Sequence, residues 1–96
     1  MVIRLHPEAL AEYIEAVEFY EDQAPGLGRD FFGEVQRVFR LVEENPGIGS
    51  PFEGPCRRAY CRRFPFGVVY RETDDIVWVL AVMHLRRRPG YWKDRG

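Results

Sequence analysis

Apolar residues recur at steps of three and four in the first half of the chain and gather into short unbroken runs in the second. That change of period predicts helices followed by strands. Val2-Ile3-Arg4-Leu5 reads as a short strand. His6-Pro7-Glu8 then opens a helix, because Pro suits the first helical position and an early acid complements the helix dipole. Leu10, Tyr13, Ile14, Val17, Tyr20 and Ala24 form its expected apolar stripe. Glu8, Glu12, Glu15 and Asp22 fall on the other side and read as a solvated face. Pro25-Gly26-Leu27-Gly28 breaks the pattern, and Leu27, Phe31, Val35, Val38, Phe39 and Val42 mark a second helix. It stops at Asn45-Pro46-Gly47, where Pro cannot continue a helix and Gly tolerates the turn. So short a connection folds the two helices back as an antiparallel hairpin.

Ile48 to Pro55 reads as a loop rich in Gly and Pro. Beyond it the period is that of strands: Arg57 to Arg63, a turn at Phe64-Pro65-Phe66-Gly67, then Val68 to Arg71. After a turn at Thr73-Asp74-Asp75 comes Ile76 to Val82, apolar on both faces and therefore expected at the centre of the sheet. The predicted architecture is α+β. An N-terminal strand, a helix hairpin and a three-strand antiparallel meander form one sheet with the helices on one face. A chain of 96 residues makes a single domain, residues 1–96.

Composition narrows the class. With 46% hydrophobic and 30% charged residues the chain is an ordinary globular protein. Its longest apolar run, Ile76 to Met83, is eight residues, far short of the roughly 18 that cross a bilayer. No signal peptide precedes the first helical pattern, so the expected location is the cytoplasm, with no membrane partner. The net charge of −1 hides a division. Met1 to Gly54 carries four Arg against eleven acids, a balance of −7, whereas Pro55 to Gly96 carries ten basic residues against four acids, a balance of +6. Such a split either polarises the surface toward an anionic partner or neutralises itself across the fold.

The inventory excludes many chemistries. Ser50 sits in a loop without a G-x-S-x-G elbow, and neither a phosphate-binding P-loop nor a G-x-G-x-x-G fingerprint is present. Cys56 and Cys61 lie too far apart to bridge if the segment between them is extended, and only His6 and His84 could join them around a metal. No metal and no cofactor is expected. Arginine remains: thirteen of the fourteen basic residues are Arg, which favours planar, bidentate or stacked contacts. On an unbroken strand Arg58 and Arg62 share one face and Arg57 and Arg63 the other. A metal-free ribonuclease needs a base, a cation and an acid at one spot. His84, Tyr91 and nearby arginines are the candidates. The bland readings are a structural His at a strand end and packing roles for Tyr91 and Trp92.

Six segments, in order and spanning nearly the whole chain, carry a resemblance: H-P-E-A at His6 to Ala9, E-F-Y-E at Glu18 to Glu21, P-G-L-G at Pro25 to Gly28, E-N-P-G-I-G at Glu44 to Gly49, R-R-F-P-F-G-V-V-Y-R at Arg62 to Arg71, and H-L-R-R-R-P-G-Y-W at His84 to Trp92. The chain resembles the RelE/ParE superfamily of toxins from type II toxin–antitoxin systems, also described as plasmid-stabilisation proteins. The resemblance implies a toxin held inactive by a cognate, ParD-like antitoxin, whose segment wraps the toxin surface. Arg58, Arg62, Arg71, Arg86, Arg87, Arg88, Tyr91 and Trp92 are the residues it offers for antitoxin or target contact. In the ParE-like branch the target is DNA gyrase, poisoned by binding. In the RelE-like branch it is messenger RNA on the ribosome, and the nuclease residues here would be His84, Tyr91, Arg63 and Arg87. Gly67 and Leu85 stand where the nuclease pattern places arginines, and the single lysine leaves that branch's lysine-bearing strand missing. The ParE-like ending therefore leads. A non-toxic member that only binds an antitoxin is the third reading. Sequence-specific DNA binding belongs, in this family, to the antitoxin.

Overall fold

The computed structural model describes residues 1–96 and measures 39 × 27 × 21 Å. In chain order it contains β1 (Val2–Leu5), α1 (Pro7–Gln23), α2 (Leu27–Glu44), a 3-10 turn (Pro46–Ile48), β2 (Ser50–Pro51), β3 (Arg57–Tyr60), β4 (Phe66–Thr73) and β5 (Ile76–His84). The five strands form one sheet in the order β1-β5-β4-β3-β2. Only the β1–β5 pair is parallel, with Ile3 opposite Val77. β5 thus lies inside the sheet, as its two-sided apolar run requires. The helix hairpin covers one face, burying Ala9, Tyr13, Ala16, Phe31, Val35, Val38 and Phe39 against Val68, Tyr70, Val77, Val79 and Val82. On the far face Cys56, Val69, Leu80, Ala81 and Met83 are closed over by Trp92, with Phe52 and Tyr91 at the margin.

The α+β class stands as expected, and four details differ. The strand expected at Arg57 to Arg63 ends at Tyr60, because Cys61 to Pro65 turn away toward α2. Phe66 and Gly67, expected in a turn, open β4 instead. The two-residue strand β2 adds a fifth member where a loop was expected; Ser50 and Pro51 pair with Arg58 and Arg57. Lastly, Leu10 and Ile14 of the α1 stripe are about half exposed, at 46% and 51%, while Ala9, Tyr13 and Ala16 take the core.

Each helix start has a local cause. The His6 ring accepts the Glu8 N–H through Nδ1 at 3.1 Å, capping α1 ahead of Pro7. α2 begins after Gly26, which has no side chain to cap it. Glu21, from the end of α1, fills that role: its carboxylate accepts the Gly26 N–H at 3.0 Å and the Gly28 N–H at 3.0 Å. These bonds, the Gly26 contact first, hold the Glu21 carboxyl below its usual range. The close crossing explains Gly28, whose added Cβ would lie 2.5 Å from the Val17 carbonyl oxygen. At the other end of α2, Tyr70 ties the sheet to the turn. Its hydroxyl donates to the Pro46 carbonyl at 2.7 Å and accepts the Gly49 N–H at 2.9 Å.

Candidate functional site

β5 is longer than its neighbour β1. Pairing with β1 stops at Leu5 opposite Val79, and a bulge shifts the β4–β5 register so that Val69 faces Ala81 and Tyr70 faces Val79. Leu80 is left between them, and the β5 edge beyond Val79 has no strand beside it. Glu12 of α1 and Arg95 of the C-terminal segment close that edge. The Glu12 carboxylate accepts the Val82 N–H at 3.1 Å, while Arg95 Nη1 donates to the Leu80 carbonyl at 3.1 Å. Arg95 also grips Glu12 with both terminal nitrogens, at 2.8 and 3.1 Å, and the Tyr91 hydroxyl donates to Glu12 Oε2 at 2.6 Å. Glu12, read from sequence as solvated, is only 14% exposed in its side chain and is the hub of this network. An i,i+3 and i,i+4 spacing from Glu8 and Glu15 cannot separate one acid from another; its partners come from residues 70 and more positions away.

Beside this hub lies a cleft of about 290 Å³. Glu12, Glu15 and Phe19 of α1 form one wall, Phe66, Val82 and His84 the floor, and Arg87 and Tyr91 the other wall. The cleft brings together three of the residues picked from sequence: His84, Arg87 and Tyr91. The His84 Nδ1 accepts the Arg86 N–H at 3.0 Å, and the ring meets Phe66 edge-on at 5.2 Å. Arg87 stacks its guanidinium 4.0 Å over the Tyr91 ring. Burial first, then the bond to Glu12, raises the Tyr91 hydroxyl far above the ordinary phenol range.

The other arginines disperse. Arg63, the fourth nuclease candidate, sits in the left-handed region at φ 68° and turns to α2, 3.8 Å from Asp30. Arg62 follows it there, and its backbone N–H is bonded to the Glu34 carboxylate. The expected face pairing of Arg58 with Arg62 and Arg57 with Arg63 therefore fails, since the strand has already ended. Arg57 donates to the Gly49 carbonyl at 2.7 Å. Arg58 lies over Gly67 on the far face, its guanidinium 3.9 Å above the Phe52 ring and 4.7 Å from that of Tyr60. Arg71 is on the same face, bonded to Thr73 Oγ1 at 3.3 Å. Arg86 and Arg88 project from the exposed turn after β5. Trp92 is 2% exposed, so it closes the far-face core and offers little surface for contact.

Sequence reading missed a second concavity. Leu10, Ile14 and Val17 of α1, Phe32 and Phe39 of α2, and Leu5 of β1 line an apolar groove of about 560 Å³. The signal was present: α1 carries apolar residues around more than one face, with Ala9, Tyr13 and Ala16 inward and Leu10, Ile14 and Phe19 outward. No three His, Cys, Asp or Glu side chains are grouped to hold a metal ion, and no helix is long and apolar enough to cross a membrane.

Comparison with known proteins follows the same outline. Residues 3–89 match the family model described as ParE toxin of type II toxin-antitoxin system, parDE. Toxin ParE2 of Mycobacterium tuberculosis, from strains CDC 1551 / Oshkosh and ATCC 25618 / H37Rv, is 31% identical over 88 residues, covering 91% of this chain and 84% of the relative. A solved chain of the chromosomal ParDE TA system from P. aeruginosa shares the fold, with a TM-score of 0.65 at 21% identity over 88% of this chain and 95% of that one. With the family match spanning β1 through β5 and the turn beyond it, the chain belongs to the ParE toxin family of type II toxin–antitoxin systems.

Proposed function

We propose that this toxin is neutralised by an antitoxin whose apolar helix lies in the groove between α1, α2 and β1, and that it acts in the cytoplasm by binding and poisoning DNA gyrase. The groove supports the first half: it is apolar and open, and the fold leaves Leu10, Ile14 and Phe32 of its lining about half exposed.

The observation that carries the second half is the use already made of Tyr91. Its hydroxyl is committed to Glu12, and its proton is held well beyond the range in which a phenol serves as a general acid or base near neutrality. Arg63, needed for a phosphate in the nuclease reading, is on the α2 side and away from the cleft. The remaining surface suits binding, which needs no such proton transfer.

Purified chain added to gyrase and relaxed plasmid, with and without antitoxin, tests the reading. Loss of supercoiling that antitoxin reverses is expected; unimpaired supercoiling at a large excess of toxin sinks it. The convergence of His84, Arg87 and Tyr91 in one cleft favours a ribosome-dependent endoribonuclease as the second reading. Primer extension on a translated messenger after brief induction separates the two, since only the nuclease yields cuts within codons. Neither lesion would leave the reading of a member that binds antitoxin alone.

A further inference from the structure

A third surface is built from parts far apart in sequence. Arg29, Arg37 and Arg40 of α2 and Arg62 and Arg63 of the β3–β4 turn surround a shallow basin of about 350 Å³, against two acids, Asp30 and Glu34. Both acids are already engaged. Glu34 takes Arg37 Nε and Nη2 at 2.8 Å each and the Arg62 backbone N–H, and Asp30 faces Arg63. Glu21 stands near Arg29 but spends its oxygens on the α2 N-terminus. Arg29, Arg40, Arg62 and Arg63 remain exposed.

Two backbone features mark this face. Gly33 sits in the middle of α2, where glycine weakens a helix, yet a Cβ there would meet nothing within 4 Å. Arg63 holds a left-handed φ that L side chains adopt at a cost. A bare backbone at the centre of the basin and a strained arginine at its rim both suit the close approach of something from outside.

We infer that this basin binds the phosphate backbone of duplex DNA, without reading its sequence. Arginines present paired N–H groups to phosphate oxygens. Arg29 and Arg40 are about 16 Å apart along the helix at 1.5 Å per residue, the axial rise of about five phosphates on one strand. A protein partner would need apolar anchors, and Phe64 is the one apolar residue lining the basin. A single strand would need exposed aromatic platforms for its bases, whereas Phe64, the one aromatic in the basin, is buried. An RNA duplex offers the same phosphates in a different geometry, and the test below separates the two.

The test is fluorescence anisotropy of a labelled 20-base-pair DNA duplex of arbitrary sequence, titrated with the full chain at several salt concentrations. It requires neither gyrase nor antitoxin, so it stands or falls apart from the function proposed above. Binding should weaken with salt at a log–log slope of about −3, for three or so phosphates neutralised. Arg40→Glu combined with Arg63→Glu should lower affinity tenfold or more, while Arg4→Glu, on the exposed side of β1, changes it little. Gly33→Leu should keep or raise the melting temperature and still lower affinity at least threefold, an opposition that a merely structural role would not produce. Salt-independent binding, equal affinity in the basin variants, or tighter binding of a single strand, an RNA duplex or poly-glutamate would each overturn the inference.

Discussion

At the scale of single residues, the ionisable groups that matter are those whose partners come from distant parts of the chain. Replacing Glu12 by Gln removes the charge that holds Arg95 and Tyr91 and weakens the closure of the β5 edge. A loss of about 2–3 kcal/mol is expected, below the cost of breaking a fully buried pair because the site is partly solvated. For a chain of this size that lowers the melting temperature by roughly 10–20 °C, readable by circular dichroism. Tyr91→Phe, which deletes one hydrogen bond, should cost only about 1 kcal/mol. Glu34 gives a pH signature. Its carboxyl is held below the usual range by the bond from Arg37, with burial opposing and the Arg62 N–H adding to it. A depressed carboxylate stabilises the fold above its unfolded pKa and loses that contribution as pH falls through the folded value. The stability gap between wild type and Glu34→Gln should therefore be full at pH 7 and shrink below about pH 4.3; a gap constant to pH 2.5 in urea titrations would contradict this. Burial pushes the Cys61 thiol up to about 12, so iodoacetamide at pH 8 should label Cys61 only after denaturation, as mass spectrometry of the adducts would show.

At the scale of elements, much of the fold was legible because local rules decided it. His6-Pro7 starts α1, Asn45-Pro46-Gly47 ends α2, and the two-sided apolar run of β5 places it inside the sheet. The quoted segments turn out to be mainly joints. Glu21 of E-F-Y-E caps the helix that P-G-L-G begins, and Tyr70 of V-V-Y holds the turn of E-N-P-G-I-G. The site was less legible for a physical reason: periodicity tells which side chains share a face, not which face meets protein. Leu10 and Ile14 match the helical repeat as well as Tyr13 does, yet they face the groove. The alternation assumed for Arg57 to Arg63 lost its meaning once the strand stopped at Tyr60. Two changes test these assignments. Gly28→Ala should destabilise by about 1–3 kcal/mol through the Val17 contact, measured by urea denaturation. Leu10→Glu with Ile14→Glu should leave stability within about 1 kcal/mol and abolish antitoxin capture in a pull-down. Retained capture would move the antitoxin to another surface.

At the scale of the whole molecule, one sheet carries two apolar layers of unequal cover. The helix hairpin is a broad lid on one face, whereas the far face depends on Phe52, Tyr91 and Trp92. Deleting residues 91–96 removes Trp92, Tyr91 and Arg95 together, so Leu80, Ala81 and Met83 become accessible. The truncated chain should bind a hydrophobic dye strongly and lose its sharp thermal transition while keeping far-UV helix signal. The same arrangement bears on synthesis. β5 receives β1 from one end of the chain and the Arg95 clamp from the other, 83 positions from its partner Glu12. The helix hairpin can form as soon as it leaves the ribosome, because its contacts are local. The sheet has to wait for β5, and the clamp for the last residues. On the docking proposed above, a nascent chain still attached to the ribosome thus already presents Leu10, Ile14 and Phe32, the helix-borne part of the groove, while its β1 wall and the cleft of His84, Arg87 and Tyr91 are unmade. If the antitoxin docks as proposed, the order of translation lets its first contacts with α1 and α2 form before the C-terminal residues have been made.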